Sequence, residues 1–150
     1  MEIKIREAVR TDSEEIIRLI LELAKFEKLT PPDEAGQKHL LDDAFSDSPP
    51  FKILVAEQYG GLLGYAFYLF TYSSFEAKKT LYLEDIFISE SHRNKGIGKL
   101  FLDKIMKIAK ANDCGRMEWA VLDWNVNAIK FYEKLGAREL KEWKYFRMEL

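Results

Sequence analysis

The residues with the clearest potential for chemistry form the hexapeptide Arg93-Asn94-Lys95-Gly96-Ile97-Gly98. Its two glycines allow the backbone to come close to a ligand, and Arg93, Lys95 and the following Lys99 supply positive charge. A β-rich run at residues 81–88 precedes the hexapeptide, and apolar residues at helical spacing follow it. Because the start of a helix leaves amide N–H groups unpaired and carries a partial positive charge, this order favours phosphate binding.

Two common phosphate loops do not fit the hexapeptide. Gly98-Lys99 is followed by Leu100, so the hydroxyl that a P-loop presents to magnesium is missing. Phe101 occupies the position at which the dinucleotide-binding pattern G-x-G-x-x-G requires its third glycine. The remaining alternative is a glycine turn before a solvated, lysine-rich helix, and the pattern alone leaves both interpretations open.

A candidate carboxylate, Glu84, lies in the middle of the apolar strand predicted at 81–88. An ion in that position needs a partner, a ligand or water. The two-residue period of a strand sends Glu84 and Asp85 to opposite faces, so only one of them can face a given site. Glu27 and Glu118 lie near predicted element ends, where acidic residues are usually solvated but can also attract a cationic substrate.

Asn125 and Tyr132 are seven residues apart in a predicted helix, so the amide and the hydroxyl share one helical face. The hydroxyl can then face a site together with the Asn125 amide, or Tyr132 can simply pack against the core, as tyrosines near helix ends usually do. The residues themselves leave these alternatives open.

Composition limits the kind of protein. The 150 residues fit one domain, 1–150, and the formal charge of −2 gives no general reason to bind nucleic acid. No apolar run approaches the roughly 20 residues that cross a membrane, and no signal segment is evident. A single cysteine, Cys114, predicts a reducing, cytoplasmic setting. His39 and His92 lack partners at ligand spacing, so no metal site is expected.

The element order predicts an α/β fold of the α+β kind. The patterns indicate a strand at 2–8, a helix ending near Glu27, a helix at 33–45, and strands at 51–58, 62–71 and 81–88. A helix after Gly98, a strand at 116–122, a helix closing at Leu135-Gly136 and strands at 137–140 and 143–149 complete the chain. This order predicts a mixed sheet with helices on both faces.

Taken together, these motifs resemble the GNAT superfamily of N-acetyltransferases. The hexapeptide after a long strand is similar to its R-x-x-G-x-G/A acetyl-CoA loop. LAKFEKL at 23–29, FTYSSFEAKKTLYLEDIFI at 70–88 and WNVNAIKFYEKLGA at 124–137 resemble the diamine, or spermidine/spermine, acetyltransferase group. The resemblance implies a twisted, mostly antiparallel sheet of about seven strands, acetyl-CoA as cosubstrate and a small amine as acceptor.

The resemblance also implies roles for individual residues. Glu84 would accept the proton of the attacking amine, and Tyr132 would protonate the departing thiolate. The positions implied to bind the cofactor are Ile86, Phe87, Ile88, Arg93, Asn94, Lys95, Gly96, Ile97, Gly98, Lys99, Asn125, Val126, Asn127, Ala128 and Tyr132. The positions implied to bind the amine are Phe26, Glu27, Glu84, Glu118, Trp119 and Ala120.

The sequence leaves two features of function open. The acceptor is expected to be a polyamine, a diamine or a lysine-like amine such as thialysine, with a protein N-terminus or lysine side chain as the alternative. A non-catalytic acyl-CoA-binding regulator is the alternative from another class. Members of the resembled group are homodimers, and the alternating C-terminal residues 143–150 are expected to pair across such an interface.

Overall fold

The computed structural model describes residues 2–150, which contain five β-strands and four α-helices. In chain order they are β1 (Lys4–Glu7), α1 (Ser13–Glu27), α2 (Glu34–Ala44), β2 (Lys52–Gln58), β3 (Gly61–Ser73), β4 (Lys78–Ile88), α3 (Ile97–Ala111), β5 (Arg116–Trp119) and α4 (Val126–Lys134). These residues divide into two compact units, the first running to Trp119 and the second comprising Ala120–Leu150. None of the described helices combines the length and apolarity needed to cross a membrane.

The strands form one sheet in the order β1-β2-β3-β4-β5. The first three pairings are antiparallel, and β4 pairs with β5 in parallel. Helix α3 connects these two parallel strands, as a crossover requires. The predicted mixed, mostly antiparallel sheet is thereby confirmed, and nine of the predicted elements occur within a few residues of their expected bounds.

Helix α1 covers one face of the sheet. Its Ile16 and Leu19 are fully buried against Val55 and Tyr65, which are also fully buried. The helix ends at Lys28, whose left-handed backbone (φ 60°) lets the next amide, that of Leu29, bond to the carbonyl of Ala24 at 2.9 Å. The chain then reaches two prolines, which cannot continue a helix.

Helix α3 covers the other face. Phe101 and Ile105 are completely buried, and the helix lies against β1, β2, β4 and β5. Neighbouring residues of β2 show why both faces need cover: Leu54 and Val55 point in opposite directions, yet both are 0% exposed. The expectation of helices on both faces is confirmed.

The expected strands at 137–140 and 143–149 are wrong, because the described chain contains no strand after β5. The alternating apolar residues of this segment are mostly exposed, with Trp143 at 73%, Phe146 at 90% and Met148 at 85%. An alternating pattern indicates that a segment can pair, but strand formation also needs a neighbouring backbone to accept and donate hydrogen bonds. The sheet consequently has five strands rather than about seven.

Gly64 gives a sharp test of the packing between β3 and β4. A Cβ atom added to Gly64 would lie 2.4 Å from the backbone oxygen of Phe87 and 3.1 Å from the Cα atom of Ile88. Because backbone in a central strand cannot move aside cheaply, Gly64→Ala should lower the free energy of unfolding by about 1–3 kcal/mol. Urea-induced unfolding measures this change.

Gly115→Ala is the matched control. The nearest atoms to its added Cβ lie 3.5 Å away in the flexible side chain of Lys78, which is an ordinary contact. Equal losses of stability in the two variants would contradict the steric argument.

Candidate functional site

The first component of the site is an open edge of β4. Pairing between β4 and β5 stops at Leu83 and Trp119, whereas β4 continues to Ile88 while paired with β3. Among the described residues, no strand lies on the other side of this last part of β4. Its outward N–H and C=O groups can therefore bond to an extended ligand. The edge carries three of the expected cofactor-binding residues, Ile86, Phe87 and Ile88.

The second component is the start of α3, where the backbone takes special conformations. Asn94 and Gly96 both have left-handed backbones, with φ of 61° and 78°. Gly96 is the N-cap residue, and it offers no side chain to the first amides of the helix. A Cβ on Gly96 would meet nothing within 4 Å, so the glycine is needed for its backbone conformation rather than for space.

The other α-helices place an acceptor or a negative charge at their first turn. The Asp33 side chain accepts from the amide of Gly36 at 2.8 Å, and Asn125 accepts from that of Ala128 at 3.3 Å. Helix α1 has Glu14 and Glu15 in its first turn. Helix α3 has neither a capping side chain nor an acidic residue there. Its first amides and partial positive charge are thus available to an anion.

The basic residues near α3 differ in what they contact. Lys95 is exposed and makes no ion pair with any described residue, whereas Lys99 pairs with Asp103 of the same helix at 2.8 Å. The side chain of Ile97 is 2% exposed and belongs to the core, so only its main chain can serve a ligand. Gly98 follows in the first turn.

Arg93 turns back toward the sheet. Its Nε donates to the carbonyl of Ile88 at 3.0 Å, and its guanidinium lies over the ring of Phe26 at 4.6 Å and that of Phe87 at 5.4 Å. A guanidinium is attracted to the face of an aromatic ring at such distances. The side chain therefore connects the end of α1 to the end of β4.

Beside this turn, a surface cleft of about 490 Å³ is lined by Arg18, Glu22, Leu62, Ser89, Glu90, Ser91 and His92. None of these residues was predicted to bind the cofactor or the amine.

A β-bulge interrupts β4 at Glu84. Tyr68 of β3 pairs with Leu83, but the preceding residue Phe67 pairs with Asp85, so Glu84 has no partner. Consecutive residues of β3 point to opposite faces, and each cross-strand pair shares a face, which puts Leu83 and Asp85 on opposite sides. The regular alternation expected for Glu84 and Asp85 is therefore wrong here. The bulge leaves Glu84 exposed and turns Asp85 toward α1.

Asp85 is an acidic candidate of the sequence that was not assigned to the site. It lies mostly out of solvent, where it accepts a hydrogen bond from the hydroxyl of the fully buried Tyr65 at 3.1 Å. Burial raises the pKa of Asp85 to about 6, and the charges of Glu84 and Glu27 act in the same direction against the hydrogen bond from Tyr65. Burial also raises the pKa of Glu27. The signal in the sequence was the second carboxylate of Glu84-Asp85, which regular alternation had set aside.

Glu27, Glu84 and Asp85 are consequently an acidic group at the junction of α1 and β4. Like charges that lose water repel one another, and a bound cation relieves both penalties. Among the described residues there is no group of three or more His, Cys, Asp or Glu arranged to hold a metal ion. A protonated amine is a cation that fits such a site without metal-ligand geometry.

The remaining predicted site residues lie on β5 and in the second unit. Glu118 pairs with Arg116 at 3.1 Å, and Trp119 lies opposite Leu83 in register. In the second unit Ala120 and Val126 are exposed. The Asn125 side chain caps α4, which also carries Asn127, Ala128 and a half-buried Tyr132 whose ring is 5.6 Å from that of Phe131.

Comparison with known proteins decides the family. The model of the acetyltransferase (GNAT) family matches residues 15–137, which is most of the chain. The chain belongs to the GNAT family. This GNAT chain is 38% identical to a thialysine N-epsilon-acetyltransferase of Sus scrofa, over 97% of this chain and 91% of that protein. It is also 38% identical to the human spermidine/spermine N(1)-acetyltransferase-like protein 1, over 96% of this chain and 22% of the relative.

A solved structure supports the fold of this GNAT chain. An integron cassette protein from the mobile metagenome of V. cholerae aligns over 99% of this chain and 93% of its own, with a TM-score of 0.86 and 26% identity. The protein is thus an acetyltransferase that transfers acetyl to an amine, and its family implies acetyl-CoA as the cosubstrate. The predicted family and enzyme class are confirmed.

The raised pKa of Asp85 predicts how the stability of this GNAT protein depends on pH. The folded state holds the proton of Asp85 more tightly than the unfolded state, so the contribution of Asp85 to the free energy of unfolding falls as pH rises from 3.8, the usual value, to about 6. Asp85→Asn removes this loss and should gain up to about 3 kcal/mol over the wild type at pH 7, but little near pH 4. Urea unfolding at the two pH values measures the difference.

Asp12→Asn is a control of opposite sign. The guanidinium of Arg6 bonds to Asp12 at 2.8 Å and lowers its pKa, so the stability it provides is present above its usual pKa and is lost as pH falls. Asp12→Asn should therefore have a lower free energy of unfolding than the wild type at pH 7, and the difference should be smaller in acid. A pH-independent effect of Asp85→Asn would contradict the burial of its charge.

Proposed function

We propose that this protein acetylates a primary amine of a small polyamine, a diamine or a lysine-like compound such as thialysine. The observation that carries the proposal is the acidic group Glu27, Glu84 and Asp85 beside the open edge of β4. A small molecule with a primary amine is cationic at neutral pH, and this group attracts such a ligand. The names of the two relatives support the same class, since one is named for thialysine and the other for spermidine and spermine.

Acetyl-CoA would occupy the two unpaired stretches of backbone. The amides from Asn94 to Lys99 hold the diphosphate at the start of α3, and the charge of Lys95 adds to their attraction. Groups on the edge of β4 from Ile86 to Ile88 hold the pantetheine and acetyl end. In the second unit, residues Asn125, Val126, Asn127 and Ala128 contribute further cofactor contacts. The family match at 15–137 spans both units, which supports a single acetyltransferase domain.

The reaction is direct attack within a ternary complex. Glu84 accepts a proton from the bound ammonium, directly or through water, so that the amine has a free electron pair. An amide near Phe87 donates a hydrogen bond to the carbonyl oxygen as the C–N bond forms and negative charge develops there. The C–S bond then breaks, Tyr132 gives its proton to the leaving sulfur, and the nitrogen loses its second proton to water as the amide forms. Glu27 and Asp85 hold the remaining positive charge of the acceptor, with Phe26, Glu118, Trp119 and Ala120 completing its site.

A homodimer is part of the proposal. Trp143, Tyr145, Phe146 and Met148 are exposed apolar or aromatic side chains within six residues of one another, and exposed apolar patches can mark an interface. Pairing of residues 143–150 with a second copy would cover these side chains and supply the hydrogen bonds that a strand needs. Sedimentation velocity that shows only a monomer at micromolar concentration would count against this assembly.

An acceptor screen tests the function. Release of CoA is followed with spermidine, spermine, putrescine, thialysine and lysine, and with peptides that carry a free N-terminus or a lysine. We expect turnover with one or more of the small amines and a KM for that amine that rises in Glu27→Gln. Turnover with peptides alone would refute the small-amine class, and acetyl-CoA binding without turnover would indicate a non-catalytic regulator.

The same assay tests Tyr132. Tyr132→Phe removes the hydroxyl and keeps the ring, so turnover should fall by about 10²-fold or more while acetyl-CoA affinity changes little. Calorimetry measures the affinity, and steady-state kinetics measure turnover. Turnover equal to that of the wild type would remove the proposed acid from the mechanism.

A further inference from the structure

The last half of α1 is attached to the turn after β4 at two points. The carboxylate of Glu22 accepts a hydrogen bond from the hydroxyl of Ser89 at 2.8 Å, and Ser89 is 7% exposed. One helical turn further, the ring of Phe26 lies 4.6 Å from the guanidinium of Arg93. Glu22 and Phe26 are four residues apart and thus lie on one face of α1. This face is directed at the turn that leads to α3.

Arg93 makes the second attachment in a way that depends on its shape. The flat guanidinium contacts two rings, those of Phe26 and Phe87, while its Nε bonds to the carbonyl of Ile88. A lysine has the same charge, but it has neither the flat face nor the Nε donor. The contact therefore depends on arginine rather than on positive charge alone.

The two rings under Arg93 belong to the segments that carry the acidic group. Phe26 precedes Glu27 at the end of α1, and Phe87 is two residues beyond Asp85 on β4. The charge of Glu27 on α1 acts on the pKa of Asp85 on β4, so these two carboxylates repel one another across the junction. An attachment between α1 and β4 opposes that repulsion and keeps the carboxylates at a defined separation.

We propose that Arg93 is a positioning residue for the acceptor. Its side chain holds the last turn of α1 against β4, so that Glu27 and Asp85 receive the same cation. This inference rests on the proposed function and assigns the side chain of Arg93 to the acceptor site, although its position in the glycine turn had indicated a diphosphate ligand. The start of α3 retains Lys95 and the uncapped amides for the diphosphate.

The two assignments of Arg93 predict changes in different quantities, the acceptor KM for the positioning role and the acetyl-CoA Kd for the diphosphate role. If its side chain positions α1, Arg93→Lys should raise the acceptor KM about two- to fivefold, while the acetyl-CoA Kd stays within about twofold. Phe26→Leu removes the ring under Arg93 and leaves the charge of Arg93 in place, and it should also raise the acceptor KM. In the double variant the acceptor KM should rise by less than the product of the two single increases, because both substitutions remove the same contact between Arg93 and Phe26.

Lys95→Ala is the contrasting variant. It removes an exposed charge beside the anion site, so it should raise the acetyl-CoA Kd and leave the acceptor KM nearly unchanged. A rise of the acetyl-CoA Kd in Arg93→Lys, with no change in the acceptor KM, would overturn the positioning role.

Hydrogen exchange separates this inference from the proposed function. The amide of Leu29 bonds to the carbonyl of Ala24 in the last turn of α1, and its exchange rate reports how often that turn opens. We expect exchange of residues 24–29 to be faster in Arg93→Lys and Phe26→Leu than in the wild type and Lys95→Ala. If exchange is faster in these variants but the protein acetylates no amine, the attachment of α1 is supported and the proposed acetylation of a small amine is refuted. Unchanged exchange would overturn the inference in either case.

Discussion

A strand must find partners for its backbone N–H and C=O groups on both sides, and β4 does so along its whole length on one side only. Its pairing with β3 extends to Ile88, but its pairing with β5 ends at Leu83. Helix α3, which follows β4, also has unpaired backbone groups, because its first amides receive no side-chain cap. Two consecutive parts of the chain thus present backbone groups that can bond to a ligand.

The bulge at Glu84 changes what lies beside that backbone. It exposes one carboxylate and moves the next one, Asp85, toward Tyr65 and α1. At Asp85 the cost of burial exceeds the benefit of the hydrogen bond, as its pKa of about 6 shows. A hydrogen bond contributes about 1 kcal/mol, whereas each pKa unit corresponds to about 1.4 kcal/mol. The single bond from Tyr65 therefore cannot offset the burial of the Asp85 charge together with the two neighbouring negative charges. The site is therefore poised to bind positive charge.

Local patterns predicted the elements well where they reflect local physics. The end of α1 followed from Thr30 and the two prolines, and the start of α3 followed from Gly96 and Gly98. The same patterns failed for residues 137–149, since alternation cannot tell whether a partner strand exists. They also failed at Glu84, because an extra residue in β4 becomes visible only through its register with Phe67 and Tyr68 of β3.

The sequence by itself determined the order of strands and helices, the glycine turn that opens α3 and, through its motifs, the GNAT family. These features depend on residues close together in the chain, where backbone conformation and periodicity decide. Tertiary structure decided that Asp85 joins Glu27 in the acidic group and that Arg93 connects α1 to β4. Burial and pairing between distant segments set the energy of a charge or a ring contact, and no local pattern contains that information.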